Sequence, residues 1–112
     1  RTNSGTSGQG AGGAALTQAA SLADISEVTD DTALLDEELS FEGSGGAILT
    51  SANPALADWY DYDGQTHAIT TKGYVYQVTT ASGDFAKLQL NSYEDGVISF
   101  SWFYAGSGFY QY

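Results

Sequence analysis

From Tyr74 to Tyr104 the chain reads Y-V-Y-Q-V-T-T-A-S-G-D-F-A-K-L-Q-L-N-S-Y-E-D-G-V-I-S-F-S-W-F-Y, a run that leaves few folds open. β-Branched and aromatic residues fill Tyr74 to Thr80, and A-S-G-D follows as a turn. Phe85 to Tyr93 sets Ala86, Leu88 and Leu90 against Lys87 and Gln89, since successive strand side chains point to opposite faces. Glu94 to Gly96 is the next turn. Val97 to Tyr104 then alternates, with Ile98, Phe100, Trp102 and Tyr104 against Val97, Ser99, Ser101 and Phe103. Upstream, W-Y-D-Y-D and T-H-A-I-T-T flank a turn at Asp63-Gly64. About five consecutive strands with short links predict an all-β fold, an antiparallel meander or sandwich with one buried and one solvated face.

Three zones differ in composition. Residues 1–15 are a Gly-rich segment without periodicity. Residues 16–58 are acidic and aliphatic: eight of the 14 acidic side chains fall between Asp24 and Glu42, and Phe41 is the one aromatic. Residues 59–112 hold all eight Tyr and both Trp. At 112 residues the chain is a single domain, and 42% apolar content suffices for a core. The middle zone is read as irregular or partly helical, with at most a short helix or turn near Asp31 to Glu38 and a strand at Ala47 to Thr50. Its acids are read as a solvated face.

Charge excludes some partners. Arg1, Lys72 and Lys87 oppose 14 carboxylates, for a net −11, so no basic patch exists to grip phosphate backbones. No apolar run is long enough for a membrane-spanning helix. There is no Cys to staple the fold and no Met. A start at Arg1 without Met leads to the expectation of a processed chain, from which an upstream signal peptide, pro-segment or half-domain has been removed.

The five glycines between Gly5 and Gly13 admit three readings. A nucleotide-binding loop needs a Lys followed by Ser or Thr, and no Lys occurs before Lys72. A flexible linker is compatible with the composition. In the third reading the glycines permit close backbone approach in an ordered, tightly wound segment.

Two blocks carry a family resemblance. R-T-N-S-G-T-S-G-Q-G-A-G-G-A resembles a segment of the HmuY family of haem-binding bacterial surface lipoproteins, with Arg1, Asn3, Gly5, Ser7, Gly8, Gly10, Gly12, Gly13 and Ala14 in register. Tyr74–Tyr93 followed by Gly96–Tyr104 is similar to that family's C-terminal hairpins, including Ala86-Lys87 inside a strand. The blocks cover about half the chain in the family's order. The resemblance implies that residues 1–112 are a single HmuY-like domain lacking its N-terminal strands, non-enzymatic, and extracellular or at the outer-membrane surface. It implies haem or a related planar hydrophobic molecule as ligand. Those N-terminal strands were cleaved away, or belong to another chain, or the material is a fragment; because unpaired strand edges invite strand addition, the expected partner is another polypeptide that supplies them, or copies of this chain.

The candidate ligand-binding residues are His67, Tyr60 and Tyr62. The family's best-known member grips haem between two His side chains, whereas His67 is the single His here and falls beside the second ligand position rather than on it. Bis-histidine ligation within one copy is thereby excluded. Ligation by His67 with Tyr or a second subunit stays open, against the alternative of a half-exposed strand residue beside a turn. Asp61-x-Asp63-Gly64 has the look of a calcium loop, but Lys72 stands where the closing Glu would fall, and no metal site is expected. No catalytic constellation converges. The aromatic surplus, from Tyr60 to Tyr112, suits contact surfaces, and the ending G-S-G-F-Y-Q-Y is a tail that must dock or stay disordered. Two functions therefore stand side by side: an HmuY-like binding domain, and a structural subunit of an extracellular assembly completed by strands from another chain.

Overall fold

The computed structural model describes residues 1–28, 32–43 and 45–106. The chain is all-β, with antiparallel pairing throughout. In order, the elements are β1 (Gly13–Leu16), β2 (Glu37–Gly43), β3 (Gly46–Ala52), α1 (Pro54–Ala57), β4 (Tyr60–Tyr62), β5 (Ile69–Thr71), β6 (Val75–Thr79), β7 (Phe85–Glu94) and β8 (Val97–Gly106). A 3₁₀ turn spans Leu22–Asp24.

The main sheet has four strands in the order β1-β6-β7-β8, while β2-β3 and β4-β5 form separate two-stranded hairpins. The expected meander is thus real for β6, β7 and β8 but does not extend to β4 and β5. Asp95 and Gly96 join β7 to β8 with φ of 50° and 81°, the two positive values of a type I′ turn, whose twist matches the strands it links. Pairing of Leu88 with Trp102 and of Leu90 with Phe100 keeps the apolar alternation on one face, as the sequence predicts.

The glycine segment is wound and ordered. Backbone strands pass so close that a methyl group at Gly12 would overlap the Thr2 carbonyl oxygen, and one at Gly5 the Asp36 carbonyl oxygen. Gly13 then opens β1, which pairs with β6 from Gly13↔Thr79 to Leu16↔Tyr76. Of the three readings of the glycines, the tightly wound one describes this geometry.

The middle zone corrects two expectations. No helix forms over residues 32–38, and Asp31 lies outside the described residues; Leu34 instead bridges Ala14 and Glu37 enters β2. The only helical turn of the zone among the described residues, besides the 3₁₀ turn, is α1, capped by Asn53, whose Oδ1 accepts from the Ala55 and Leu56 amides at 3.0 and 3.3 Å. Pro54 at its first position loses no hydrogen bond there. The expected strand at Ala47 to Thr50 lies inside β3.

The second correction concerns Asp36. Its side chain is buried, not part of a solvated face. Oδ2 accepts from the Thr2 amide at 2.7 Å and from the Ser7 hydroxyl, and Oδ1 accepts from Thr2 Oγ1 at 2.8 Å. Burial alone would push this carboxyl up, but the hydrogen bonds from Ser7 and Thr2 together outweigh it and hold it down to about 2. Asn53 Nδ2 reaches the Leu34 carbonyl at 2.7 Å, so one polar network ties the glycine segment, residues 34–36 and α1 together.

The apolar core is small: Ala14, Ala15, Ile25, Ala55, Val75 and Tyr76. Burying Val75 stabilises by roughly 1.5–3 kcal/mol. Tyr76 has no exposed surface, and its hydroxyl has no hydrogen-bond partner among the described residues. Burial, reinforced by Asp58 and Tyr74, pushes its phenol up to about 12.

The sheet's polar face is not simply solvated. Lys87 is buried, its ammonium donating to the Leu22 and Ile25 carbonyls at 2.7 Å each and lying 5.7 Å from the Phe103 ring centroid. Gln89 Nε2 donates to the Ala20 carbonyl at 3.2 Å and the Gly73 carbonyl at 3.0 Å. The segment after β1 therefore covers this face through its own backbone carbonyls.

Candidate functional site

Tyr60 and Tyr62 lie two apart on β4 and so share a face. That face, together with Phe41 of β2 and Ile69 of β5, lines a cleft of about 520 Å³. Phe41 and Tyr60 also wall a second, apolar cleft of about 400 Å³, which reaches Leu56 of α1 and Leu90 of β7. Trp59 extends the aromatic row, with its ring centroid 4.9 Å from Tyr60 and 5.9 Å from Tyr93.

His67 belongs to the loop between β4 and β5 rather than to a strand, and it is exposed. The loop is shaped by Asp63, whose Oδ1 accepts from the Gln65 and Thr66 amides at 2.8 and 3.2 Å. Those two N–H groups hold the Asp63 carboxyl below its ordinary value. The His67 amide donates to the Asp63 carbonyl at 2.8 Å, and His67 itself takes a left-handed φ of 60°. This conformation turns the imidazole back toward β4, where Nδ1 meets the Tyr62 hydroxyl at 2.5 Å. Sequence reasoning named all three residues, and the fold brings Tyr60 and Tyr62 into one cleft with His67 bonded at its rim.

The neighbouring acids are otherwise engaged. Lys72 Nζ lies 2.7 Å from Asp58 and 3.9 Å from Asp61, and the hydrogen bond to Asp58 raises the ammonium's pKa. Among the described residues, no group of three or more His, Cys, Asp or Glu side chains is placed to hold a metal ion. Among them, too, no helix is long and apolar enough to cross a membrane.

Ile69 lines the cleft without having been a sequence candidate, and so does Phe41. The signal of Phe41 was weak, a lone aromatic in an acidic zone, and only pairing of β2 with β3 carries it to the β4 face. Of the surplus aromatics, Tyr76 is core rather than surface, and the Phe109, Tyr110 and Tyr112 tail lies outside the described residues. Compared with models of known protein families and with curated proteins, the chain matches none.

Proposed function

We propose that this chain is a non-enzymatic, HmuY-like binding domain that takes a planar hydrophobic molecule, haem being the case its sequence resemblance implies. The observation that carries the reading is the Tyr62–His67 pair at the rim of the cleft lined by Phe41, Tyr60 and Ile69. Flat aromatic faces favour stacking with a flat ligand, and the cleft volume falls within the range of small-molecule sites.

The residues fit haem in one way and not in another. A single imidazole is present, so two-histidine ligation by one copy does not fit. Tyr oxygen and His nitrogen both ligate haem iron in proteins, and the Tyr62 hydroxyl and His67 Nδ1 stand within hydrogen-bond distance of each other. Haem would thus be held by one protein ligand drawn from this pair, its ring against Tyr60 and Phe41. A location outside the cell or on the outer-membrane surface, expected from the same resemblance, belongs to this proposal.

Haem titration followed at the Soret band tests the iron part. A shift that is lost in both His67→Ala and Tyr62→Phe is expected, and an unchanged spectrum removes haem. Iron-free porphyrin tests the cleft separately, through quenching of Trp59 in a Trp102→Phe background. No quenching there removes the planar-ligand reading as a whole.

A further inference from the structure

The main sheet ends at β8, which pairs with β7 and, among the described residues, with nothing on its other side. The opposite end is treated differently: β1 is met by Leu34, which exchanges two backbone hydrogen bonds with Ala14 at 3.1 and 2.8 Å. β8 is also long, at ten residues, against a usual length of about five or six. Natural edge strands are blunted with Lys, Pro, inward charges or shortness. V-I-S-F-S-W-F-Y-A-G has no charge and no Pro, in a chain whose net charge is −11.

One face of this edge is apolar, and the other carries Val97 and Phe103 beside Ser99 and Ser101. Ile98, Phe100, Trp102 and Tyr104 form one row, with Trp102 64% and Phe100 53% exposed, and Phe103 on the other face is 50% exposed. At about 200 Å² for each aromatic side chain, the four rings leave roughly 400 Å² in water per copy. Edge-to-edge pairing with a second strand buries the backbone of such an edge and the flanks of these rings against those of the neighbour.

We propose that β8 is the surface through which two copies of this chain join, edge to edge and antiparallel, into one continuous eight-stranded sheet. A two-fold contact needs a strand complementary to itself, and β8 is such a strand. With Ser101 opposite Ser101 of the second copy, Phe100 faces Trp102 and Ile98 faces Tyr104 across the seam. All four stay on one face, because a two-fold axis perpendicular to the sheet preserves its sides. Such aromatic cross-strand pairs stabilise a sheet. A donated strand from a basic partner is the competing occupant, and the two differ in their response to salt. Copies carrying −11 each repel at long range, so screening strengthens their contact, whereas it weakens attraction to a basic chain.

Sedimentation velocity and light scattering at up to about 200 µM, in about 0.05 M and 0.5 M NaCl, decide the matter. The expected result is a monomer–dimer equilibrium that shifts to dimer at high salt. Trp102→Lys, at an exposed mid-strand position, keeps the circular dichroism spectrum and weakens the dimer about tenfold or more. The chain has no Cys, so Ser101→Cys gives a clean register test. It oxidises to a disulfide-linked dimer, since directly opposed antiparallel residues lie about 4.5–5.5 Å apart, while Gln65→Cys does not. A monomer at both salt concentrations overturns the proposal. So does a dimer indifferent to Trp102→Lys, or one dissolved by added salt.

Discussion

The Thr2 amide donates to Asp36 Oδ2 at 2.7 Å across 34 positions of sequence. This contact closes the glycine segment onto the strand entering β2, and it makes stability depend on one buried carboxylate. With the folded-state pKa held near 2 against an ordinary 3.8, the unfolded chain takes up its proton first on acidification. The contribution is complete above about pH 4 and is lost as pH falls toward 2, amounting to up to about 2 kcal/mol. Asp36→Asn should lower stability at pH 7 by about 2–4 kcal/mol and flatten this acid limb. Urea midpoints between neutral pH and pH 2 measure both. Equal acid sensitivity in the variant would show that other carboxylates govern it.

Gly12→Ala places a methyl group on the Thr2 carbonyl oxygen, where only backbone movement can relieve the overlap. A loss of about 2 kcal/mol or more is expected, within the range for overpacking. Gly64→Ala is the control, since its added methyl meets open space, and its melting temperature should hardly move. Similar melting of the two variants would return the glycine segment to the linker reading.

Lys87→Met keeps the apolar stem but takes the donor from the Leu22 and Ile25 carbonyls. About 2–3 kcal/mol should be lost, because hydrogen bonds to charged groups are strong and two acceptors are left without this donor. Hydrogen exchange gives the local signature: the Asp24 and Ile25 amides, which bond Ser21 and Leu22 carbonyls at 3.1 and 3.2 Å, should exchange faster than those of β6. Unchanged protection at residues 24 and 25 would mean that the segment is held by something other than Lys87.

Much of the sheet was legible because strand signals are local. Alternation in β7 and β8 and the Asp95-Gly96 turn each need only neighbouring residues, and both appear where the pattern put them. Asn53-Pro54 was equally legible as a helix cap, and reading it would have placed the helical turn at α1 instead of near Glu38. Tyr60, Tyr62 and His67 could be named as candidates from residue type, but not assembled into a site.

The sequence by itself determined the all-β class, the hairpins of the last zone, the absence of a basic surface and the single imidazole. Each follows from composition or from contacts between residues near in the chain. Only the tertiary structure decided that Asp36 and Lys87 are buried, that β1 rather than β5 borders β6, and that Phe41 joins the β4 cleft. Those outcomes depend on partners distant in the chain, such as Thr2, 34 positions from Asp36, and Leu22, 65 positions from Lys87. A buried charge is stable only where distant backbone and hydroxyl groups converge on it, and no local pattern records that convergence.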